Sequence, residues 1–352
     1  MLKKRNRLQG DGFECCEGRD RTSDLRVMSP TSYRCSTSRY GCKCTPYQIY
    51  IQSYFSAYLY DISMKSGFVN IFGKPNAGKS TLVNALVGEK LAIVSHKSQT
   101  TRHRIRAFLN GPGYQIIFSD TPGIINPEYR LHEKMMQAVK SSLEDADVAL
   151  LLVDARHDPA GADEVFSALR LKVPAIVVIN KTDLAGDEAV RAATEFFGKR
   201  PYCKAVVPVS ALRKANLEEL LKVILTYLPE GEPFFGEEDI TDMPTRFFVA
   251  EMIREKVFEL YEQEIPYQTT VMVREFREKQ TLVKITADVV VQRESQKAII
   301  LGEKGRMIRQ LGTEARKEIE AFLGSKVFLE LFVKVRADWR DNDLHLKEYG
   351  YN

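Results

Sequence analysis

Residues 73–80, with the sequence GKPNAGKS, constrain the fold more than any other segment of this 352-residue chain. They match the pattern G-x-x-x-x-G-K-[ST], in which glycines let successive backbone N–H groups converge on a phosphate. The strand-like run GFVNIF precedes them, and STLVNALVG follows with apolar residues at helical spacing. A chance glycine-rich turn rarely has both flanks in this order. The segment therefore predicts a phosphate-binding loop between a strand and a helix.

The chemistry of this loop indicates a nucleoside triphosphate. The helix that follows presents free N–H groups and the positive end of its dipole to the phosphates. Lys79 is expected to reach the β and γ phosphates, and Ser80 to place its hydroxyl on Mg²⁺. The nucleotide-binding residues predicted in this segment are Gly73, Lys74, Pro75, Asn76, Ala77, Gly78, Lys79, Ser80 and Thr81.

The base is indicated by NKTD at residues 180–183, directly after the buried-type strand AIVVI. Ligands of a doubly wound sheet bind at the carboxyl ends of its strands. The Asp183 carboxylate can accept hydrogen bonds from N1–H and the 2-amino group of guanine, whereas adenine would leave it unpaired. The loop after the strand AVVPV could contact the base from the other side, although a plain strand-to-helix turn is an equal interpretation. The predicted guanine-end residues are Asn180, Lys181, Asp183, Ser210, Ala211 and Leu212.

DTPG at residues 120–123 follows another strand candidate, YQIIFS. Asp120 is expected to hold Mg²⁺ through water, and the Gly123 N–H to meet the γ-phosphate. A threonine between the first helix and the strand RIRAFL would ligate Mg²⁺ directly, and Thr101 is preferred to Thr100. Loops held only by the γ-phosphate relax when it leaves, which makes a switch. The motifs together predict a GTPase with catalytic residues Lys79, Thr101 and Gly123, further nucleotide contacts at Asp120, Thr121 and Pro122, and metal ligands Ser80, Thr101 and Asp120.

The residue after Gly123 bears on the rate of hydrolysis. It is Ile124, where small signalling GTPases carry a glutamine that orients the attacking water. We therefore expect slow intrinsic hydrolysis, with the water positioned by backbone groups or cations.

Residues 1–63 differ in character from the rest of the chain and hold five of its six cysteines. The segment has no CxxC pair, no histidine and no helical or alternating periodicity. We interpret it as a disordered extension or as a start codon assigned too early, with the folded chain beginning near Met64. The net charge of +4 restricts any nucleic-acid surface to a local patch. No apolar run approaches the ~20 residues of a membrane span, and the expected compartment is the cytoplasm.

A second domain is predicted after residues 230–246, an acidic, proline-containing stretch that indicates an interdomain linker. Residues 247–342 have the order helix, strand, strand, helix, G-x-x-G, helix, strand, which is typical of a type II KH module. The G-x-x-G loop of such modules clamps the backbone of about four nucleotides. A simple turn between two helices remains the alternative for the short motif alone. The predicted RNA-binding residues are Gly302, Glu303, Lys304, Gly305, Arg306 and Arg309, with Ile299, Ile300 and Ile308 lining an apolar groove; Trp339 is expected to pack on the last strand.

These segments together resemble the Era GTPases. The resemblance is carried by GKPNAGKSTLVNAL, KSQTTRHRI, DTPGI, NKTDL, SQKAIILGEKGRMIRQLGTEARKEIE and VKVRADWR, and it runs from about Gly67 to near the C-terminus. It implies an α/β architecture, a doubly wound P-loop GTPase domain over residues 64–229, followed by an α+β type II KH domain over residues 247–342.

The resemblance also implies a function. Era GTPases bind the 3′ end of 16S rRNA and assist assembly of the small (30S) ribosomal subunit, with GTP or GDP and Mg²⁺ as cofactors. Asn76 is of the type associated with K⁺ in related GTPases, which makes K⁺ a further candidate cofactor. The implied protein is a cytoplasmic monomer with some peripheral association at the cytoplasmic face of the inner membrane.

Two other classes of protein stay open at the level of the sequence. A tandem-domain or tRNA-modifying GTPase is disfavoured because the chain has one phosphate loop and lacks a C-terminal cysteine. A metabolic P-loop kinase is disfavoured by the combination of NKTD and DTPG.

Overall fold

The phosphate-loop segment lies between strand β1 (Lys65–Gly73) and helix α1 (Lys79–Val87), in the order that its sequence predicts. The structure is a computed structural model and describes residues 64–351. The interpretation of residues 1–63 lies outside the described residues. Within residues 64–351, no helix has both the length and the apolar character needed to cross a bilayer.

A six-stranded sheet forms the first half of the described chain, with strand order β2-β3-β1-β4-β5-β6. Only β2 runs antiparallel to its neighbour, and the other pairs are parallel. All seven residues of β4 are buried, as expected for a strand covered by helices on both faces. The remaining elements are β2 (Ile105–Gly111), β3 (Tyr114–Asp120), α2 (Arg130–Glu144), β4 (Val148–Asp154), α3 (Ala160–Ala168), β5 (Ala175–Asn180), α4 (Asp187–Gly198), β6 (Cys203–Pro208) and α5 (Leu217–Tyr227).

Strand β1 lies between β3 and β4, so the connections leave it in opposite directions along the sheet. Such a switch point opens a crevice at the carboxyl ends of the strands, where ligands bind. The phosphate loop follows β1, residues 120–123 begin at the end of β3, and residues 180–183 begin at the end of β5. The predicted doubly wound fold is confirmed, and its topology brings the three motifs to one edge.

A three-stranded sheet of order β7-β8-β9 forms the second half, with β7 antiparallel and β9 parallel to β8. Helices pack on one face and bury an apolar core that includes Ile285, Val289 and Ile319. The order of elements confirms the α+β KH fold. Its elements are α6 (Thr245–Leu260), α7 (Ile265–Gln268), β7 (Thr270–Glu278), β8 (Val283–Val291), α8 (Glu294–Leu301), α9 (Arg306–Leu323), β9 (Val327–Val335) and a terminal helix α10 (Asp343–Glu348).

The stretch between the two sheets packs on the first sheet although it is irregular. The ring of Phe235 stacks on Phe108 of β2, with centroids 3.9 Å apart. The Gln115 side chain accepts hydrogen bonds from the backbone N–H groups of Phe234 and Phe235, at 2.6 and 3.0 Å. These contacts fix the path of the chain as it leaves the first sheet.

The two halves also contact each other directly. The buried guanidinium of Arg102, next to the expected Mg²⁺ ligand Thr101, donates to the backbone carbonyls of Pro266, Tyr267 and Thr269 at 2.8–3.0 Å. Trp339 is fully buried and donates from Nε1 to the Gln268 carbonyl at 3.0 Å. Its apolar cluster includes Leu131 and Met135 of α2, besides Val290, Leu346 and Tyr351. The expectation was that Trp339 packs on the last strand, whereas its cluster draws on α2, β8 and the C-terminal residues and includes none of β9.

Candidate functional site

The phosphate loop surrounds the ammonium group of Lys79. Lys79 Nζ donates to the backbone carbonyls of Gly73 and Lys74, at 3.2 and 3.1 Å. Burial lowers the pKa of Lys79 to about 8, and the nearby Asp120 carboxylate opposes this shift. The loop carbonyls therefore hold the lysine in place, and a bound phosphate would add negative charge beside it to that of Asp120.

Gly78 shows why the second glycine of the loop is required. Its φ of +97° lies in the left-handed region, and a Cβ there would stand 2.3 Å from Asn180 Nδ2. The Asn180 amide donates to the Ala77 carbonyl at 2.9 Å, so it needs this close approach. The glycine thus lets the base motif contact the phosphate loop.

Three oxygen ligands converge beside Lys79. The hydroxyl oxygens of Ser80 and Thr101 are 2.8 Å apart, and they lie 2.7 and 3.2 Å from Asp120 Oδ2. Asp120 Oδ1 is buried without a hydrogen-bond partner in the described part of the chain, and burial raises the pKa of this carboxyl group. Thr100 instead accepts a hydrogen bond from Arg254 through its backbone carbonyl.

This oxygen set fits Mg²⁺, which prefers hard oxygen ligands and takes few of them from the protein when phosphates supply the rest. Within residues 64–351 there is no group of three or more His, Cys, Asp and Glu side chains that could hold a metal ion. The predicted ligand set of Ser80, Thr101 and Asp120 depends on hydroxyl groups, and Asp120 Oδ1 has no hydrogen-bond partner among the described residues.

The guanine end joins two loops. Asn180 Oδ1 accepts from the Ala211 backbone N–H at 3.0 Å, and the Ser210 hydroxyl donates to Asp183 Oδ1 at 2.5 Å. The second Asp183 oxygen stays available to a ligand, and Leu212 is 69% exposed at the edge of the cavity. The structure therefore joins the loop of residues 180–183 to the loop of residues 210–212, which the sequence analysis placed on opposite sides of the base.

Lys181 connects this end to the phosphate loop. Its backbone is left-handed, with φ of 65°, and Nζ donates to the Asn76 carbonyl at 2.6 Å. Nζ also lies 2.8 Å from a carboxylate oxygen of Asp154, at the end of β4. The sequence analysis missed Asp154 and its second partner Arg156, although their position at a strand end could have indicated them.

A cavity of about 710 Å³ is lined by Lys79, Ser80, Thr101, Lys181 and Asp183. Their partners Asp120, Asp154, Ser210 and Ala211 are buried and do not line it. Thr81, Thr100 and Gly123 also line it, as does Gln99. Helix α6 and the residues after it reach its mouth through Phe258, Glu259 and Glu262. The lining residues that the sequence predicted are Pro75, Asn76, Gly78, Lys79, Ser80, Thr81, Thr101, Gly123, Asn180, Lys181, Asp183 and Leu212.

Several predicted residues lie behind the cavity wall. Thr121 is fully buried, and its hydroxyl donates to the Ile71 carbonyl at 2.6 Å, away from the cavity. Pro122 is buried beside it, and the Lys74 side chain is exposed on the outer side of the loop. Ile124 packs at the edge of an apolar cluster, so no polar side chain stands at that position. These residues shape the loops, and Gly73 and Ala77 contribute backbone carbonyls to Lys79 and Asn180.

The G-x-x-G segment forms a tight turn between α8 and α9. Gly302 has φ of +67°, and a Cβ there would lie 2.5 Å from Met307 Cγ. Lys304 and Gly305 are left-handed as well, with φ of 50° and 74°. The side chains of Glu303 and Lys304 are exposed at the tip of the turn. The backbone is therefore open to the close approach of a sugar-phosphate chain.

A groove of about 450 Å³ runs beside this turn, between α9 and β9. Its floor is apolar, from Ile308, Leu329 and Leu331, and Arg309 and Arg316 lie on its rim. Arg306 is exposed at the start of α9, and Ile299 is 49% exposed. The prediction for Ile300 is wrong, because this side chain is fully buried in the core beneath α8. Arg316 was missed, although it follows Arg309 by two helical turns.

Comparison with known proteins agrees with this arrangement. Residues 68–181 match the family described as 50S ribosome-binding GTPase, and residues 264–340 match the KH domain. The chain is 45% identical over 290 residues to the GTPase Era of Geotalea uraniireducens (strain Rf4), covering 82% of this chain and 98% of that relative. It is 46% identical to the GTPase Era of Geotalea daltonii, with coverages of 81% and 97%.

Solved structures give the same match. A crystal structure of Era in complex with MgGDPNP and nucleotides 1506–1542 of 16S ribosomal RNA is 43% identical, with a TM-score of 0.79 over 82% of this chain and 99% of that one. A single-residue variant of Aquifex aeolicus Era, bound to GDP·AlF4⁻, gives the same identity, TM-score and coverage.

The fold and the site define a P-loop GTPase joined to a KH domain. The Era relatives share 45–46% of their residues with this chain over 81–82% of its length, which narrows this class to one family. The chain belongs to the Era family of GTPases.

Proposed function

We propose that this protein is a GTP-switched RNA-binding factor that binds the 3′ end of 16S rRNA and assists assembly of the 30S subunit. The observation that carries the proposal is the presence, in one chain, of a cavity lined by the predicted phosphate-loop, Mg²⁺ and guanine residues and of a groove beside a G-x-x-G turn. The related Era structure that holds MgGDPNP and a 16S rRNA fragment supports the assignment of both ligands.

The residues of the cavity have distinct roles in this proposal. Lys79 stabilises charge on the β and γ phosphates, and Asp183 selects guanine. Ser80, Thr101 and Asp120 hold Mg²⁺, which neutralises charge on the β and γ phosphates when it is bound. The Gly123 N–H meets the γ-phosphate.

The environment of the γ-phosphate is the reason to expect slow intrinsic hydrolysis. Because the Ile124 side chain offers no hydrogen bond, the attacking water is left to backbone groups or to cations. Loss of the γ-phosphate removes the contacts of Thr101 and Gly123, so both loops change together.

RNA binding is assigned to the groove of the KH domain. The turn at residues 302–305 lets the sugar-phosphate backbone approach, and Lys304, Arg306 and Arg309 supply positive charge for the phosphates. Unstacked bases would lie on the apolar floor that Ile308 contributes. The Glu303 side chain is exposed at the tip of the turn, where it faces the solvent beside the nucleotide backbone.

Binding of a 16S rRNA 3′-end oligonucleotide to the full chain tests this proposal. Its affinity would be measured with a non-hydrolysable GTP analogue and with GDP, beside an oligonucleotide of the same composition in scrambled order. We expect specific binding that is tighter in the GTP state. Equal affinity for both oligonucleotides would contradict the assigned RNA, and transfer of phosphate from GTP to a small acceptor would favour a metabolic kinase.

Further expectations of the resemblance are part of the proposal. Asn76 Nδ2 donates to the His96 carbonyl at 2.9 Å in the loop that covers the phosphates, a position from which its oxygen could serve a K⁺ ion. Faster hydrolysis in KCl than in NaCl would support K⁺ as a cofactor. The monomeric state, the cytoplasmic location and peripheral membrane association are proposed from the family alone.

A further inference from the structure

A buried carboxylate, Asp154, lies behind the guanine end of the cavity, next to the lining residues Lys181 and Arg156, and its side chain is 5% exposed. It ends β4 and pairs in the sheet register with Asn180 at the end of β5. A buried carboxylate is costly unless cations and hydrogen bonds compensate for the loss of water. Lys181 and Arg156 both pair with Asp154 and line the nucleotide cavity, whereas the exposed His157 ring lies 3.8 Å from Asp154 Oδ2 and does not line it.

The first partner is Lys181, whose ammonium group lies 2.8 Å from Asp154 Oδ2 and donates to the Asn76 carbonyl at 2.6 Å. The second is Arg156, which donates from Nε to Oδ1 at 2.9 Å and from Nη2 to Oδ2 at 2.7 Å. The Arg156 backbone N–H is the third donor from this residue to the carboxylate, and it bonds to Oδ1 at 3.1 Å. One carboxylate thus fixes both cationic side chains on the cavity wall.

We propose that Asp154 is a positioning residue for guanine nucleotides, which holds the Lys181 stem over the base and the Arg156 guanidinium at the mouth of the cavity. The inference rests on the proposed guanine end formed by Lys181 and Asp183. A lysine side chain has many rotamers, and ordering it upon binding opposes affinity. Because both ends of the Lys181 stem are already fixed, the free protein presents a preformed apolar surface to the base.

This role predicts a specific pattern of nucleotide affinities. The stem of Lys181 covers any purine, so it contributes equally to GTP and to inosine triphosphate, which lacks the 2-amino group. Asp183, in contrast, distinguishes bases by their hydrogen-bond donors. Loss of the Asp154 carboxylate should lower both affinities by the same factor and leave their ratio unchanged.

The test is the substitution Asp154→Asn in the full chain. We expect the affinity for GTP, GDP and inosine triphosphate to fall about tenfold or more, mainly through faster dissociation. Hydrolysis at saturating GTP should stay the same, because Lys79 and Thr101 are untouched. Glu195→Gln removes the same charge from an exposed position on α4 and should change none of these values.

A double-mutant cycle separates positioning from a general structural effect. Lys181→Met keeps most of the stem and removes the ammonium group, so its loss of affinity should overlap with that of Asp154→Asn. We expect the nucleotide affinity of the double variant to fall by a factor smaller than the product of the factors for the two single variants. The proposal would be overturned if the two losses of affinity were independent, so that their factors multiply in the double variant. It would also be overturned if Asp154→Asn left the rate of nucleotide dissociation unchanged.

Two further variants keep the result decisive. If Asp154→Asn does not fold, Arg156→Ala tests the same arrangement. We expect its affinity for GTP and for inosine triphosphate to fall severalfold, with the ratio of the two affinities unchanged. An unchanged affinity would overturn the proposal. Asp183→Asn should shift preference from GTP toward xanthosine triphosphate. If Asp183→Asn leaves the nucleotide preference unchanged, the proposed guanine end is wrong. If Asp183→Asn shifts the preference but Asp154→Asn has no effect, only the positioning role of Asp154 is wrong.

Discussion

Lys79 combines two opposing requirements, since it must be buried to meet the phosphates and charged to bind them. Burial lowers its pKa to about 8. A bound triphosphate favours the charged form and raises the pKa, so binding above pH 8 takes up a proton. Below pH 8 the lysine is charged in both states and no proton is taken up.

We therefore expect the affinity for GTP to be constant from pH 6.5 to about 7.5 and to fall above pH 8, by at most about tenfold per pH unit. Titration of the Kd up to pH 9 would measure this. Lys79→Arg serves as the control, because a guanidinium stays charged throughout and should remove the pH dependence while weakening binding. If the Kd depended on pH equally in both proteins, the pH dependence would come from titration of the nucleotide and not of Lys79.

Motif spacing predicted about half of the residues that line the cavity, because phosphate and guanine recognition each require several residue types at fixed separations. Asp154 and Arg156 escaped this reasoning for a physical reason. Asp154 pairs with Lys181, 27 positions along the chain, through the register of β4 and β5. The end of an apolar strand marks Asp154 in the sequence, but its partner is set by the register of the sheet and has no local pattern.

At the scale of elements, alternation and apolar runs predicted β3 and β5 well, since a buried strand requires near-continuous apolar residues. The short helix α7 and the terminal helix α10 were not predicted. Each is held mainly by tertiary contacts, as at Leu346, which is fully buried although its helix spans six residues. Helices this short have little stability of their own.

The G-x-x-G turn is the element that should separate RNA binding from nucleotide binding. In Gly302→Asp, the new Cβ would stand 2.5 Å from Met307 Cγ, and the carboxylate would repel phosphates. We expect RNA affinity to fall about tenfold or more while GTP affinity stays unchanged, measured by titration of each ligand.

The matched control for the turn is Gly198→Asp, at the end of α4, where an added Cβ meets nothing within 4 Å. It introduces the same charge and should leave the affinities for both ligands unchanged. A parallel loss of GTP affinity in Gly302→Asp would contradict the division of labour between the two domains.

At the scale of the whole molecule, the contacts between the two halves could not be predicted from the sequence. The sequence analysis gave Arg102 no role, although it follows the expected Mg²⁺ ligand Thr101. In the structure its guanidinium satisfies the carbonyls of Pro266, Tyr267 and Thr269, which no motif indicates. Backbone acceptors carry no residue signature, so such an interface becomes visible only once both domains are folded and docked.

Arg102→Ala tests how much this interface stabilises the chain. The substitution leaves three carbonyls without their donor, at a cost of about 1–3 kcal/mol for each acceptor that water cannot reach. We expect the free energy of unfolding to fall by roughly 2–4 kcal/mol, allowing for water that enters the space. Urea unfolding followed by fluorescence would measure the change. Arg102→Lys should lower the free energy of unfolding by an intermediate amount, because one ammonium group replaces the planar guanidinium.

Arg130 provides the comparison, since its guanidinium also joins the two halves but does so at the surface. It pairs with Glu133 and with Asp343 of α10, and its side chain is 52% exposed. Solvent and salt screen such pairs, so Arg130→Ala should leave stability unchanged within error. Equal losses for the two variants would mean that Arg102 acts as an ordinary surface charge, and that docking of the two halves depends on the apolar cluster around Trp339 instead.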